Sequence, residues 1–159
     1  MPKSKITIVG AGLSGMVAGI NLAREGYDVE IWEGGKAIGE MEKLHPSVHA
    51  TPINPRDVSN YIGVDITTQF TQCRRLTIYL RKKPYELNPG EMHLVERGSR
   101  ESSIDSYLYN TALQSGVKFR FNTLVKNLKD IPEGAIVATG LFKEGMDAAG
   151  VQAAVGTGF

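Results

Sequence analysis

Three glycines at fixed spacing, and one acid well beyond them, are the residues of this chain best suited to chemistry. Gly10-Ala-Gly12-Leu-Ser-Gly15 has the Gly-x-Gly-x-x-Gly pattern, and Glu33 follows near the interval of about 20 residues at which such units carry an acid. The first glycine allows a sharp turn out of a strand, and the second lets backbone approach a pyrophosphate. The third lets the following helix pack tightly on a sheet. That helix would offer phosphates its free N–H groups and the positive end of its dipole. Gly10, Gly12, Leu13, Ser14 and Gly15 are therefore candidate cofactor contacts. A carboxylate at Glu33 can accept both hydroxyls of an adenosine ribose and would repel a 2′-phosphate. The residues describe a dinucleotide site open to NAD or to FAD, because the first strand–helix–strand unit looks alike for both. A chain with 18 glycines also meets such spacings by chance, so the flanking elements must carry the argument.

Those elements agree. Lys5–Val9 is a short β-branched run that reads as a buried strand. Leu13–Glu25 carries apolar residues at helical spacing, with Gly26 as its stop. Tyr27–Glu33 returns to strand character, Val29 and Ile31 facing one way. Strand, helix and strand fit within about 30 residues, the size of a βαβ unit. Beyond it, Gly34-Gly35 marks a turn, and Pro46, Pro52 and Pro55 exclude any long helix up to residue 72. Arg74–Arg81 alternates between apolar and polar residues, and a loop with Pro84, Pro89 and Gly90 leads to Met92–Glu96. This predicts an inserted hairpin, about 74–97, with a long connection. Ser102 or Ser103 caps a helix bearing Ile104, Leu108 and Ala112 on one face, with Gly116 past its end. Lys118–Phe121 is a short strand, and Gly134–Thr139 reads as an apolar buried strand ending at Gly140. The expected fold is α/β, Rossmann-like, with a parallel sheet and an inserted β-hairpin.

On Lys5–Glu33 and on Gly134-Ala-Ile-Val-Ala-Thr-Gly140, the chain resembles the FAD-dependent oxidoreductases with a glutathione-reductase-like FAD domain. In that superfamily a strand ending in Ala-Thr-Gly passes close to FAD, which would assign Ala138, Thr139 and Gly140 to the cofactor. The resemblance also implies adenine contacts through the backbone of Val125 and an adenylate contact from Lys36, where Arg is commoner. One departure stands out: many members carry paired glycines after the ribose-binding acid, whereas this chain reads Ile38-Gly39-Glu40. Val95-Glu-Arg-Gly-Ser with Ser-Ile-Asp-Ser-Tyr-Leu108 and Gly116-Val117 looks like the geranylgeranyl reductase and aromatic hydroxylase branch. An arginine precedes the helix there, and Arg97 or Arg100 is the candidate.

Composition narrows the partners. The chain has 159 residues, a length suited to one domain, and a formal net charge of +1. That balance gives no electrostatic reason to expect nucleic acid. The uncharged stretch from Ile6 to Ala23 is interrupted by four glycines and Asn21, so no transmembrane segment is expected. A single cysteine, Cys73, allows no intrachain disulfide and fits a reducing, cytoplasmic compartment. His45 and His49 are separated by Pro46, which spoils a helical ligand pair, and His93 lies in a strand, so no metal is expected. Arg74, Arg75, Arg81, Lys82 and Lys83 form a basic group around the hairpin, read as a solvated face. No Ser/His/Asp or Cys/His arrangement stands out, and the catalytic residues are unknown.

The resemblance implies an FAD-binding domain over 1–140. Residues 141–159, rich in Gly and Ala, would begin a substrate or C-terminal portion otherwise missing. The implied function is the FAD-binding N-terminal portion of an oxidoreductase that passes hydride through flavin to or from a hydrophobic small molecule. Such a portion is not expected to act alone. Its partners would be FAD, an unknown substrate, and a second chain or C-terminal half, or a homo-oligomer. The alternatives are an NAD-binding dehydrogenase or regulatory domain, and a non-catalytic nucleotide-binding module of a split complex.

Overall fold

The computed structural model describes residues 3–39 and 47–140. In chain order the elements are β1 (Lys3–Val9), α1 (Leu13–Arg24), β2 (Tyr27–Trp32), β3 (Ser47–Pro52), α2 (Pro55–Ile62), β4 (Phe70–Gln72), β5 (Leu76–Leu80), β6 (Lys83–Leu87), β7 (Met92–Arg97), α3 (Ile104–Gln114), β8 (Lys118–Arg120) and β9 (Ile136–Val137).

Four strands form a sheet of order β8-β2-β1-β9, and all three pairings are parallel. The pleat explains how the sheet is buried. Ile8, Val29 and Ile31 point to one face, where α1 and α3 pack side by side through Met16, Ile20, Leu108 and Ala112. Val9 points to the other face and meets Val125, Trp32 and Ile131. Ile8, Met16, Ile20, Ile31 and Leu108 are fully buried. Each contributes about 1.5–3 kcal/mol of burial free energy. This core holds the C-terminal ends of β1 and β2 in register beside the α1 N-terminus.

Helix α3 starts at Ser103, whose Oγ accepts the Ser106 N–H at 3.1 Å and donates to the Gly98 carbonyl at 2.6 Å. Of the two serines expected as the cap, Ser102 instead donates to Glu96 Oε2 at 2.7 Å. Helix α2 is eight residues long. Pro55 occupies its first turn, where a missing N–H costs nothing, and Asn54 Oδ1 accepts the Arg56 and Asp57 amides at 3.0 and 3.3 Å.

Two sequence expectations change. Strand β5 does not pair with Met92–Glu96; it pairs with β6 across the two-residue turn Arg81-Lys82. Strand β7 pairs instead with β3 and β4 in a separate three-stranded antiparallel sheet. Arg81 and Lys82 both adopt positive φ, 49° and 67°, which matches a tight hairpin turn to the twist of its strands. The second change concerns Gly134–Thr139. Only Ile136 and Val137 form a strand, and they are 38% and 42% exposed, because β9 lies at the sheet edge.

Among the described residues, no helix is long and apolar enough to cross a membrane, and no three metal-ligating side chains cluster. His45 and the segment 141–159 lie outside the described residues.

Candidate nucleotide-binding site

The turn between β1 and α1 is clamped from two sides. The Gly10 N–H donates to the Trp32 carbonyl at 2.8 Å, and the Ala138 N–H donates to the Val9 carbonyl at 2.7 Å. Gly10 sits at φ 105°, and a Cβ there would lie 2.5 Å from the Ala138 carbonyl oxygen. A Cβ on Gly15 would fall on the Gly10 carbonyl oxygen. No other residue type fits either position without moving backbone. Gly12 differs: a Cβ there meets nothing within 4 Å, so nothing in the fold itself requires its bare backbone.

Gly12 is also the N-cap of α1, with no side chain capping the helix and no acid in its first turn. The first-turn amides, those of Leu13, Ser14 and Gly15, therefore lie at an end of positive partial charge that no side chain caps. Ser14 is exposed and Leu13 half-buried.

Glu33 stands one residue past β2. Its Oε2 accepts the Ala11 N–H at 2.9 Å and its Oε1 accepts the Gly35 N–H at 2.7 Å. Its backbone is fixed by its own N–H donating to the Arg120 carbonyl and by its carbonyl accepting the Thr123 N–H, both at 2.8 Å. Each carboxylate oxygen keeps a further lone-pair site after these bonds. Ala11 and Gly35 were not singled out from the sequence. Ala11, lying inside the glycine motif, could have been read as the amide that reaches the acid.

The structure thus brings together Gly10, Gly15 and Ala138 by direct approach, and joins Glu33 to the same turn through Ala11. Thr139 is half-buried and Gly140 exposed, next along the chain from that contact. Val125 is buried against Val9, the residue that precedes Gly10. Lys36 is exposed and enters no ion pair among the described residues.

Neither arginine ahead of α3 is free. Arg97 binds Asp105 through two parallel hydrogen bonds of 2.8 and 3.0 Å, and the Gly98 N–H donates to the same carboxylate at 2.9 Å. Arg100 lies 3.5 Å from Glu96. Gly39 packs on this group: a Cβ there would sit 2.5 Å from the Gly98 carbonyl oxygen. The loop after Glu33 is thereby pinned to the α3 entrance.

Charges along β2 are settled by neighbours. The Trp32 indole N–H, then the Lys5 ammonium, hold the Glu30 carboxyl below its ordinary range. The hydrogen bond from Lys118 lowers Asp28, and Asp28 in turn raises Lys118.

Residues 8–41 match a family of NAD(P)-binding Rossmann-like domains, a span that holds the glycine turn, α1, β2 and Glu33. The crystal structure of CtdE in complex with FAD superposes with a TM-score of 0.64 at 16% identity, over 93% of this chain and 41% of that one. The chain has a Rossmann-like FAD/NAD(P)-binding fold. A geranylgeranyl bacteriochlorophyll reductase-like protein from Thermoplasma acidophilum superposes with a TM-score of 0.51 at 17% identity, over 77% of this chain and 31% of that one. Kynurenine 3-monooxygenase of Legionella pneumophila (strain Corby) is 26% identical over 134 residues, covering 77% of this chain and 29% of its own length. The chain spans 29% of the length of the curated relatives it matches.

Proposed function

We propose that this chain binds FAD and forms the cofactor-holding part of a flavin-dependent oxidoreductase. One observation carries the reading: the Glu33 carboxylate is held by the Ala11 and Gly35 amides at the mouth of an uncapped helix whose Gly12 faces open space. The donor set suits the cofactor. The amides of Gly12, Leu13, Ser14 and Gly15 would meet the pyrophosphate, and the spare lone pairs of Glu33 would accept the ribose hydroxyls. Gly10 keeps that turn closed. Lys36 would contact the adenylate side, the Val125 backbone the adenine edge, and Ala138, Thr139 and Gly140 the cofactor beyond its phosphates. When bound, the flavin supplies the hydride and electron transfer, and the chain supplies binding and orientation.

Further parts of the reading follow from the resemblance. Residues 1–140 would be the FAD domain and 141–159 the start of a further portion. The substrate would be a hydrophobic small molecule, the compartment cytoplasmic, and the partner a second chain or C-terminal half, or another copy.

Titration of the purified chain with FAD, followed by flavin fluorescence, tests the cofactor. Saturable binding that Glu33→Ala weakens by tenfold or more supports it, since a hydrogen bond to a charged group is worth about 1.5–3 kcal/mol. The match of residues 8–41 to NAD(P)-binding domains favours a second reading, NAD. Binding of NADH but not of FAD in the same titration would establish that reading instead.

A further inference from the structure

Among the described residues, three that are not glycine hold positive φ: Arg81 and Lys82 in the hairpin turn, and Asn122, at 53°, just past β8. The register of β8 against β2 shows what Asn122 does. Glu30, Ile31 and Trp32 stand opposite Lys118, Phe119 and Arg120 in parallel pairing. One step further, the Glu33 N–H donates to the Arg120 carbonyl at 2.8 Å, as that ladder requires. In a regular parallel ladder each residue bonds the two neighbours of its opposite number, so the Glu33 carbonyl should next receive the Asn122 N–H. It receives the Thr123 N–H instead, at 2.8 Å. Asn122 is one extra residue in the ladder, a β-bulge.

The bulge redirects a donor. The Asn122 N–H, released from the ladder, donates to the Gly35 carbonyl at 2.9 Å. Gly35 in turn donates its own N–H to Glu33 Oε1 at 2.7 Å. A Cβ on Gly34 would lie 3.0 Å from Leu124 Cδ1, so the acid loop and the bulged turn are packed against each other. The carboxylate thus has two guides. One is Ala11 in the glycine turn, and the other is Gly35, itself gripped by the bulge. The Asn122 side chain is exposed, and what its position asks is tolerance of positive φ. Asparagine has that tolerance and a β-branched residue lacks it.

We propose that Asn122 is a positioning residue for the adenosine end of the cofactor, acting through Gly35 to aim the Glu33 carboxylate at the ribose hydroxyls. The inference rests on the FAD reading and adds to it a residue from beyond the strand–helix–strand unit. A β-branched residue at 122 has two courses. It can keep the left-handed backbone, and the strain then falls on stability alone. It can instead relax to negative φ, which withdraws the N–H from Gly35 and leaves the acid loop to be ordered by the ligand. Asn122 and Leu124 are both exposed, so little packing opposes the second course.

The test titrates the full chain, Asn122→Val, Asn122→Ala and Asn122→Gly with FAD and with an FAD analogue whose adenosine lacks the 2′-hydroxyl. The parent chain should prefer FAD. Asn122→Val should bind FAD about tenfold more weakly and lose most of that preference, with Asn122→Ala between the two. Its Gly35 amide should exchange faster while the β1–β2 amides stay protected. Asn122→Gly accepts positive φ and should restore both affinity and preference. Parent affinity and preference in Asn122→Val, with the strain read only in its unfolding midpoint, overturn the proposal. So does failure of Asn122→Gly to restore them, because the side chain and not its backbone would then be at work. So does a parent chain that binds the two ligands equally. A parent chain that takes up no FAD fails the cofactor reading and this inference with it, whereas equal FAD binding by parent and Asn122→Val fails this inference alone.

Discussion

Glu33 and Ala11 are joined across the mouth of the β1–α1 turn, the Ala11 N–H donating to Glu33 Oε2 at 2.9 Å. The acid proposed to meet a ribose is therefore also a brace for the loop proposed to meet the phosphates. Glu33→Gln is expected to separate the two roles. An amide keeps one acceptor for the brace but places a donor where Ala11 or Gly35 also donates. The folded state should lose about 1–3 kcal/mol in a urea titration, and FAD affinity should fall by more than the same change at exposed Glu25.

Gly12 and Gly15 should behave as opposites. Gly15→Ala drives a methyl onto the Gly10 carbonyl and should lower the unfolding midpoint by several degrees or prevent folding. Gly12→Ala has open space and should fold with an unchanged midpoint, while FAD affinity falls at least tenfold because the methyl occupies the ligand's approach. Equal affinity for FAD in Gly12→Ala and the parent chain would remove the pyrophosphate from this turn.

The Arg97–Asp105 pair sets the loop entering α3. Asp105 is buried, whereas Arg97 is partly exposed, so Arg97→Ala leaves a carboxylate with only the Gly98 amide for company. A loss on the order of 2 kcal/mol is expected, below the full cost of breaking a wholly buried pair. Asp105→Asn should cost less than Arg97→Ala, since it removes the stranded charge. Chemical denaturation of the two variants side by side checks the order.

Acid should destabilise the folded chain. Asp28 and Glu30 are held below their ordinary values of 3.8 and 4.5 in the folded chain. Their contribution is present above those values and is lost as pH falls through the lowered ones. Stability followed by urea titration should therefore decline from about pH 5 downwards, and Asp28→Asn should flatten part of that slope. Because Lys118 is exposed and Asp28 partly so, added salt should shrink the effect.

The first strand–helix–strand unit, and the approach of Glu33 to the glycine turn, are legible in the sequence. Val29 and Ile31 alternate into the core as their spacing requires, and Glu33 ends β2 beside the glycine turn. The hairpin escaped for a local reason. Arg81-Lys82 lacks the Gly or Asn that usually marks such a turn, and Pro84 reads as a loop unless its edge position is known. Strands β3 and β4 are short and polar, so their pairing with β7 leaves little periodicity to detect. The sequence offers Arg97 or Arg100 as the arginine ahead of α3, and only the fold reveals that Asp105 engages Arg97.

The approach of Gly10 to Ala138 also bears on the order of folding. Strands β1 and β2 meet after a short crossover through α1, whereas β9 reaches β1 only when most of the described chain has been looped back. Such distant contacts form slowly because the entropy of closing the loop precedes any gain. The strand–helix–strand unit can therefore collapse early, while the floor beneath the glycine turn is laid last. A stopped-flow refolding trace should show flavin-binding competence arriving after the burial of Trp32.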